Sequence, residues 1–136
     1  MVFAHRIAED VLENIEGIDW MEGIPDWNAK STTDPKEMVL ITQSNKELKE
    51  IMSSYVGIVR SNVRLNRAKD RLTLLYRETE QLYSTTTLSP QLCELRNMIT
   101  IGYLVTSSAA MRRESRGLHF TTDYPGQMDY IETMIL

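Results

Sequence analysis

Leu65, Ala68, Leu72, Leu75, Thr79 and Leu82 step along the chain by three and four residues in strict alternation. Only a helix returns residues at that spacing to one side. The stretch from about Ser61 to Ser84 must therefore pack one narrow seam against partner helices. Its other faces carry Arg64, Arg67, Lys69, Arg71, Arg77, Glu78 and Glu80. Two further helices are available to it. Ser44, with Glu47 three residues on, has the form of a capping box. Leu48, Ile51, Met52, Tyr55, Val56 and Val59 follow as one stripe, with Gly57 inside it marking close approach of a neighbour. Ser89 then caps a third helix that has Pro90 at its first position. The expected fold is all-α, a three-helix bundle over residues 44–118.

The third helix differs from the second. Leu92, Leu95, Ile99, Val105 and Ala109 mark one face, and Ile101, Leu104 and Met111 another. From Met98 to Met111 there is no formal charge. A helix apolar nearly all round is buried nearly all round, yet two partner helices leave one face wet. Something else is expected to cover it: residues 2–43, a second subunit, or a domain outside this chain.

Residues 1–43 read as an arm. Val2, Phe3, Ile7, Val11, Leu12 and Ile15 recur at near-helical spacing, but no capping residue precedes them. The start is either a frayed terminus or a helix cut from its natural beginning. Gly17, Gly23, Pro25 and Pro35, with Ser31 to Asp34, make the next stretch an extended connector. Trp20 and Trp27 are expected to anchor it to a surface. Glu37 to Thr42 reads as a short extended piece. Residues 119–136 form a tail.

Composition and motifs weigh against several functions. The net charge of -4 and pI of about 5.2 argue against nucleic acid and anionic membranes as partners. The charge-free run is too short to span a bilayer and contains Thr100, Thr106, Ser107 and Ser108. Cys93 is the single cysteine, so no internal disulfide forms, which fits a reducing cytoplasmic setting. His5 and His119 have no Cys or His at metal-ligand spacing. There is no nucleophile elbow, no phosphate-binding glycine loop and no dinucleotide fingerprint. No catalytic, cofactor-binding or metal-binding residue is assigned.

After Met111 comes a dense polar knot: Arg112, Arg113, Glu114, Arg116, Gly117, His119, Asp123 and Tyr124. The three arginines are placed in the last turns of the third helix, where cations suit the negative end of its dipole. Gly117 is placed as the left-handed residue that ends it. Arg116 and His119 are then positioned to donate to the free carbonyls. Asp123-Tyr124-Pro125-Gly126 reads as a turn, and Glu114 and Asp123 as internal partners of the arginines. On local physics the knot caps and docks, with a catalytic or anion-binding role as the alternative.

Several strings resemble one family. "YVGIVRS" (Tyr55 to Ser61) with Leu65, Arg67, Ala68 and Leu72, "ELRNMI" (Glu94 to Ile99), "IPDWN" (Ile24 to Asn28) and above all "RRESRGLHFTTDYP" (Arg112 to Pro125) are similar to the C-terminal region of the L-aspartate oxidase family. The last string is shared with the flavoprotein subunits of succinate dehydrogenase and fumarate reductase. Those relatives usually carry an arginine two residues after the histidine, and an Arg-Asp-Asp and a tryptophan beyond the proline. Thr121 and "GQMDYIETMIL" stand there instead, which favours the oxidase branch.

The resemblance implies a flavin-binding domain, a capping domain and a C-terminal bundle like a spectrin repeat. "VFAHRIAEDV" resembles the helix that follows the last flavin-contacting segment, so the first helix reads as truncated and Met1 as a start inside a longer protein. The implied reaction is oxidation of L-aspartate to iminoaspartate by FAD, reoxidised by oxygen or fumarate, on the route through quinolinate to NAD. FAD and the substrate would be held upstream of Val2, and no flavin is expected on this chain, which is expected to be inactive alone. Its implied partners are the flavin and capping domains. Alone it is expected to self-associate or be marginally stable through its uncovered apolar surface. Two other readings stand: an independent helical interaction module, and an anion- or nucleic-acid-binding bundle using Arg112, Arg113 and Arg116.

Overall fold

The computed structural model describes residues 2–17, 19, 21–26 and 38–129. Expectations for Trp20, Trp27, most of the connector and the last seven residues lie outside these. Helix α1 (Val2–Asn14) runs into a 3₁₀ turn (Ile15–Gly17). Then come α2 (Met38–Tyr55), β1 (Val59–Arg60), α3 (Asn62–Thr85), α4 (Pro90–Met111) and β2 (Phe120–Thr121). Helices α2, α3 and α4 pack on one another as the expected bundle.

The seam of α3 is buried as its spacing requires: Leu65, Ala68, Leu72, Leu75 and Thr79 all face the core. They meet Ile41, Leu48 and Ile51 of α2 and Leu92, Leu95 and Ile99 of α4. Each fully buried leucine contributes about 1.5–3 kcal/mol relative to exposure. Ser61 starts α3 by accepting the Arg64 N–H at 3.4 Å. The helix stops at the β-branched run Thr85-Thr86-Thr87, where the Thr86 N–H closes onto the Leu82 carbonyl at 2.9 Å. Ser89 starts α4 by accepting the Leu92 N–H at 3.2 Å, with Pro90 next.

Four expectations are corrected. Residues 38–42 are helix, not an extended piece, and Ser44 lies inside α2 rather than capping it. Ile41 is buried one full heptad before Leu48, so the apolar stripe runs back past the supposed cap and the helix follows it. Helix α2 therefore runs unbroken across residues 43 and 44. It ends at Tyr55, so Gly57 and Val59 are not on its stripe. A Cβ on Gly57 would lie 3.2 Å from the Ser53 carbonyl oxygen, which makes the close approach one to its own helix end.

The fourth correction concerns α4. Its buried face is Leu92, Leu95, Ile99, Gly102, Thr106 and Ala109, while Val105 turns outward with Ile101, Leu104 and Met111. A small residue and a polar one thus replace the expected valine inside. At Gly102 an added Cβ would come within 3.2 Å of Met52 Sδ and 3.6 Å of Leu48 and Leu72, so glycine lets three helices close up. Thr106 is tolerated because its hydroxyl donates to the Gly102 carbonyl at 2.7 Å. The outer apolar side of α4 has no cover among the described residues. Helix α1 does not supply it: all its described side chains are exposed, Phe3 by 80%.

Candidate functional site

The polar knot lies beyond α4, not within it. The helix ends at Met111, and Arg112 already has extended geometry (φ -78°, ψ 107°). Only Arg112 stands at the end of α4, where its backbone N–H closes onto the Ser108 carbonyl at 3.2 Å; Arg113 and Arg116 lie beyond the helix rather than in its last turns. The chain instead turns back on the start of α3. Val59 pairs with Phe120 and Arg60 with Thr121, in parallel. The Thr122 N–H adds a bond to the Arg60 carbonyl at 2.9 Å.

Gly117 does adopt left-handed geometry, φ +61°, but in a different turn from the one expected. Arg116 and His119 exchange both backbone hydrogen bonds (2.9 and 3.1 Å), so Gly117-Leu118 is a two-residue hairpin loop. Positive φ at its first position alone is the type II′ pattern that suits tightly joined strands. The later turn centres on Thr122 and Asp123, closed by the Tyr124 N–H on the Thr121 carbonyl at 3.3 Å, rather than on Tyr124-Pro125.

Three side chains hold the knot. Glu114 is 4% exposed. It receives Arg116 Nε at 3.0 Å and Arg112 Nη1 at 3.6 Å. Its Oε2 also accepts the Met128 N–H at 3.0 Å, while Arg116 Nη2 donates to the Met128 carbonyl at 2.7 Å. The acid–base pair thus grips both backbone groups of one tail residue. The Met128 amide, then Arg116, holds the Glu114 carboxyl below the usual carboxylate range, against the opposing effect of burial. Ser115 is the second hub. Its hydroxyl accepts the Thr121 N–H at 3.0 Å and donates to the Tyr124 carbonyl at 2.7 Å. Asp123 is the third, accepting the Asn62 N–H at 2.7 Å at the start of α3. Tyr124 OH lies 3.5 Å from the Asn62 side-chain amide.

Arg60, Asn62, Ser115, Thr121 and Met128 escaped sequence reasoning. All but Ser115 act across long sequence separations, and Met128 through its backbone alone. Arg60 had one signal, its place in the "YVGIVRS" string. Its Nη1 lies 2.8 Å from His119 Nδ1, and its Nε donates to the Gly57 carbonyl at 2.9 Å. Burial, then the Arg60 charge, pushes the His119 pKa down, so the ring is neutral and Nδ1 accepts. Arg60 has no carboxylate partner among the described residues, and neither does the exposed Arg113.

Beside the knot lies an open cleft of about 390 Å³, lined by Arg60, Arg112 and His119 on one side and Leu104, Val105, Ser108 and Ala109 of α4 on the other. It joins the uncovered apolar side of α4 through Leu104, which also lines the next groove, between Tyr76 and Tyr103. The chemistry available here is fastening. The Ser115 hydroxyl is engaged by backbone, His119 Nδ1 by a guanidinium, and no described cluster of His, Cys, Asp or Glu could hold a metal. Among the described residues the sheet consists of two two-residue strands, with no phosphate-binding turn of the kind that holds a dinucleotide between strand and helix. No described helix is long and apolar enough to cross a membrane.

Residues 45–134 match the family model described as fumarate reductase flavoprotein C-term. An L-aspartate oxidase of Pseudomonas aeruginosa is 43% identical over 135 residues, 99% of this chain and 25% of that protein. One from Vibrio cholerae is 38% identical over 94% of this chain and 24% of its own. A chloroplastic L-aspartate oxidase 2-b of Nicotiana tabacum is 38% identical over 92% of this chain and 21% of its own. The match is to the C-terminal part of these enzymes, and the chain spans about a quarter of their length.

Proposed function

Since the chain belongs to the fumarate reductase flavoprotein C-terminal family, we propose that it is the C-terminal helical domain of an L-aspartate oxidase, the FAD enzyme that converts L-aspartate to iminoaspartate on the route to NAD. Its task is to dock on the flavin and capping domains rather than to perform chemistry. One observation carries this reading. Two of the strings that resemble that family, Tyr55 to Ser61 and Arg112 to Pro125, are the segments that β1 and β2 zip together.

The other features fit. FAD held in the rest of such an enzyme would supply the acceptor for a hydride from the substrate α-carbon. This chain's residues contribute a rigid surface: an apolar side of α4 ending at a basic cleft. With a net charge of -4 it engages neither nucleic acid nor a membrane. The lone thiol of Cys93 suits the cytoplasm. Without its partner domains the chain associates with itself through α4.

The test compares the polypeptide of the whole reading frame with residues 1–136 alone. The whole polypeptide should be yellow and bleach when L-aspartate is added without oxygen, and residues 1–136 should be colourless and inactive. Flavin bound by residues 1–136, or a whole polypeptide that binds none, overturns the reading. A flavin that bleaches with succinate but not aspartate moves the protein to the dehydrogenase branch.

A further inference from the structure

The cleft between the knot and α4 carries more cation than the knot can neutralise. Glu114 is the carboxylate paired with Arg112, and it is shared with Arg116. It lies buried rather than lining the cleft. Asp123 is engaged at the start of α3. Arg60 is left with a carbonyl and a neutral imidazole, neither of which offsets its charge. Two guanidinium groups therefore line a cleft with no carboxylate among the described residues, on a chain whose formal charge is -4 overall. The opposite wall is mostly apolar, formed by Leu104, Val105 and Ala109 with Ser108 among them. An occupant that satisfies both walls has an acidic head on an apolar body.

The geometry points to this cleft as the receptor for one Asp or Glu side chain, presented from an apolar surface of the flavin-binding part of the same polypeptide. The inference rests on the oxidase reading and deepens it. Charge complementarity selects the acidic group, because a guanidinium fork without a counter-ion favours a carboxylate above any neutral acceptor. The length of the relatives selects its source: about three-quarters of each lies outside the stretch that this chain matches. Arg60 then has two roles. Its backbone holds β2, and its side chain joins the knot to the neighbouring domain.

The experiment uses the whole polypeptide. Arg60→Lys keeps the charge and introduces an amine that a carbodiimide can couple to a touching carboxylate. No lining residue of the cleft is a lysine, so the unaltered protein gives no such product. Arg112→Lys is made in parallel, in case the first variant disturbs β1. Arg116→Lys serves as a control, since it should couple to Glu114. The expected product is a cross-link from position 60 or 112 to an Asp or Glu outside residues 1–136, within one molecule. Cross-links confined to carboxylates of residues 1–136, or joining two molecules, overturn the inference. So does a flavin-containing protein that gives the control link and none from positions 60 and 112; the oxidase reading then still stands. A polypeptide that binds no flavin removes that reading and this inference together.

Discussion

The two ends of the bundle each hold an arginine–carboxylate pair, and the pairs do different jobs. At the α3–α4 turn, Arg96 grips Glu80 with both nitrogens and lies over the Tyr83 ring, 4.5 Å from its centre. Both charged side chains are about one-third exposed, and they join two helices already held by their seams. At the other end Arg116 and Glu114 are two residues apart, and their joint target is the backbone of Met128. Here no apolar seam exists, and hydrogen bonds determine the path of the chain. One pair decorates packing; the other substitutes for it. Removing the first should leave the fold as it is, and removing ties around the second should release the tail.

The largest effect should come from a change that ignores this difference. Leu72 is fully buried between α2 and α4, and Leu72→Ala should cost about 2–5 kcal/mol. Urea unfolding followed by helical circular dichroism would measure it, and both ends should melt together. A knot that survives the loss of the core would mean the two regions fold independently. Next comes Ser115→Ala, which removes one hydroxyl that joins two buried backbone groups. It should cost about 1–3 kcal/mol. Hydrogen exchange should quicken at the Thr121 amide and stay slow at Leu92, whose amide is held by Ser89. Equal quickening at both would erase the distinction between the ends.

The contrast also explains what the sequence made legible. Everything at the α3–α4 end is local. The stripe from Leu65 to Leu82, the cap of Ser89 and the stop at Thr85 each depend on residues within a turn or two, and each lies where its pattern places it. The knot depends on partners about sixty positions apart, Arg60 with His119 and Asn62 with Asp123, and no periodicity encodes such pairs. Of the residues singled out, Arg112 alone stands at the end of α4, while Arg116, Glu114, Asp123 and Tyr124 reach the tail and the start of α3 instead. Three arginines after an apolar helix read as a dipole cap because that is the nearest partner in sequence. The exposed side of α4 misled in the same way. Without charges to mark an outer face, Val105 and Gly102 could not be told apart as out and in. The strings that resemble the oxidase family marked both Tyr55–Ser61 and Arg112–Pro125, but only the geometry pairs them, Val59 with Phe120 and Arg60 with Thr121.

Gly117→Ala tests the hairpin at a smaller scale. No atom lies within 4 Å of where the new Cβ would sit, so the cost is the left-handed backbone alone, about 1 kcal/mol. An unchanged unfolding midpoint would reject the turn assignment.

Acid separates the ends without any mutation. Both the His119 and Glu114 pKa values lie below their ordinary values in the fold. For each, the unfolded chain binds the proton more readily, so the stabilisation is present above the unfolded pKa and is lost as pH falls through the folded one. The Arg60 contact of His119, and then the hold of Glu114 on Met128, should open only as pH falls through folded pKa values that lie below the ordinary histidine and carboxylate ranges. Amide exchange at Met128 should show the second step, and Glu114→Gln should remove it. A Met128 amide whose protection is flat down to pH 3 would sink this account.

Glu80→Gln should have the smallest effect of all. It removes the charge from a pair that resembles the Glu114 pair on paper, with the same residue types and a bidentate grip. Yet water reaches both partners, and salt screens them. Arg96 also keeps its stacking on Tyr83, and the neighbouring helices keep Leu75 and Leu92 in the core. The unfolding midpoint should stay within error of the parent at low and high salt alike. A clear drop at low salt that vanishes in high salt would mean the two ends are fastened by the same electrostatic device. The knot would then be a second copy of a surface bridge, and its burial would no longer set it apart.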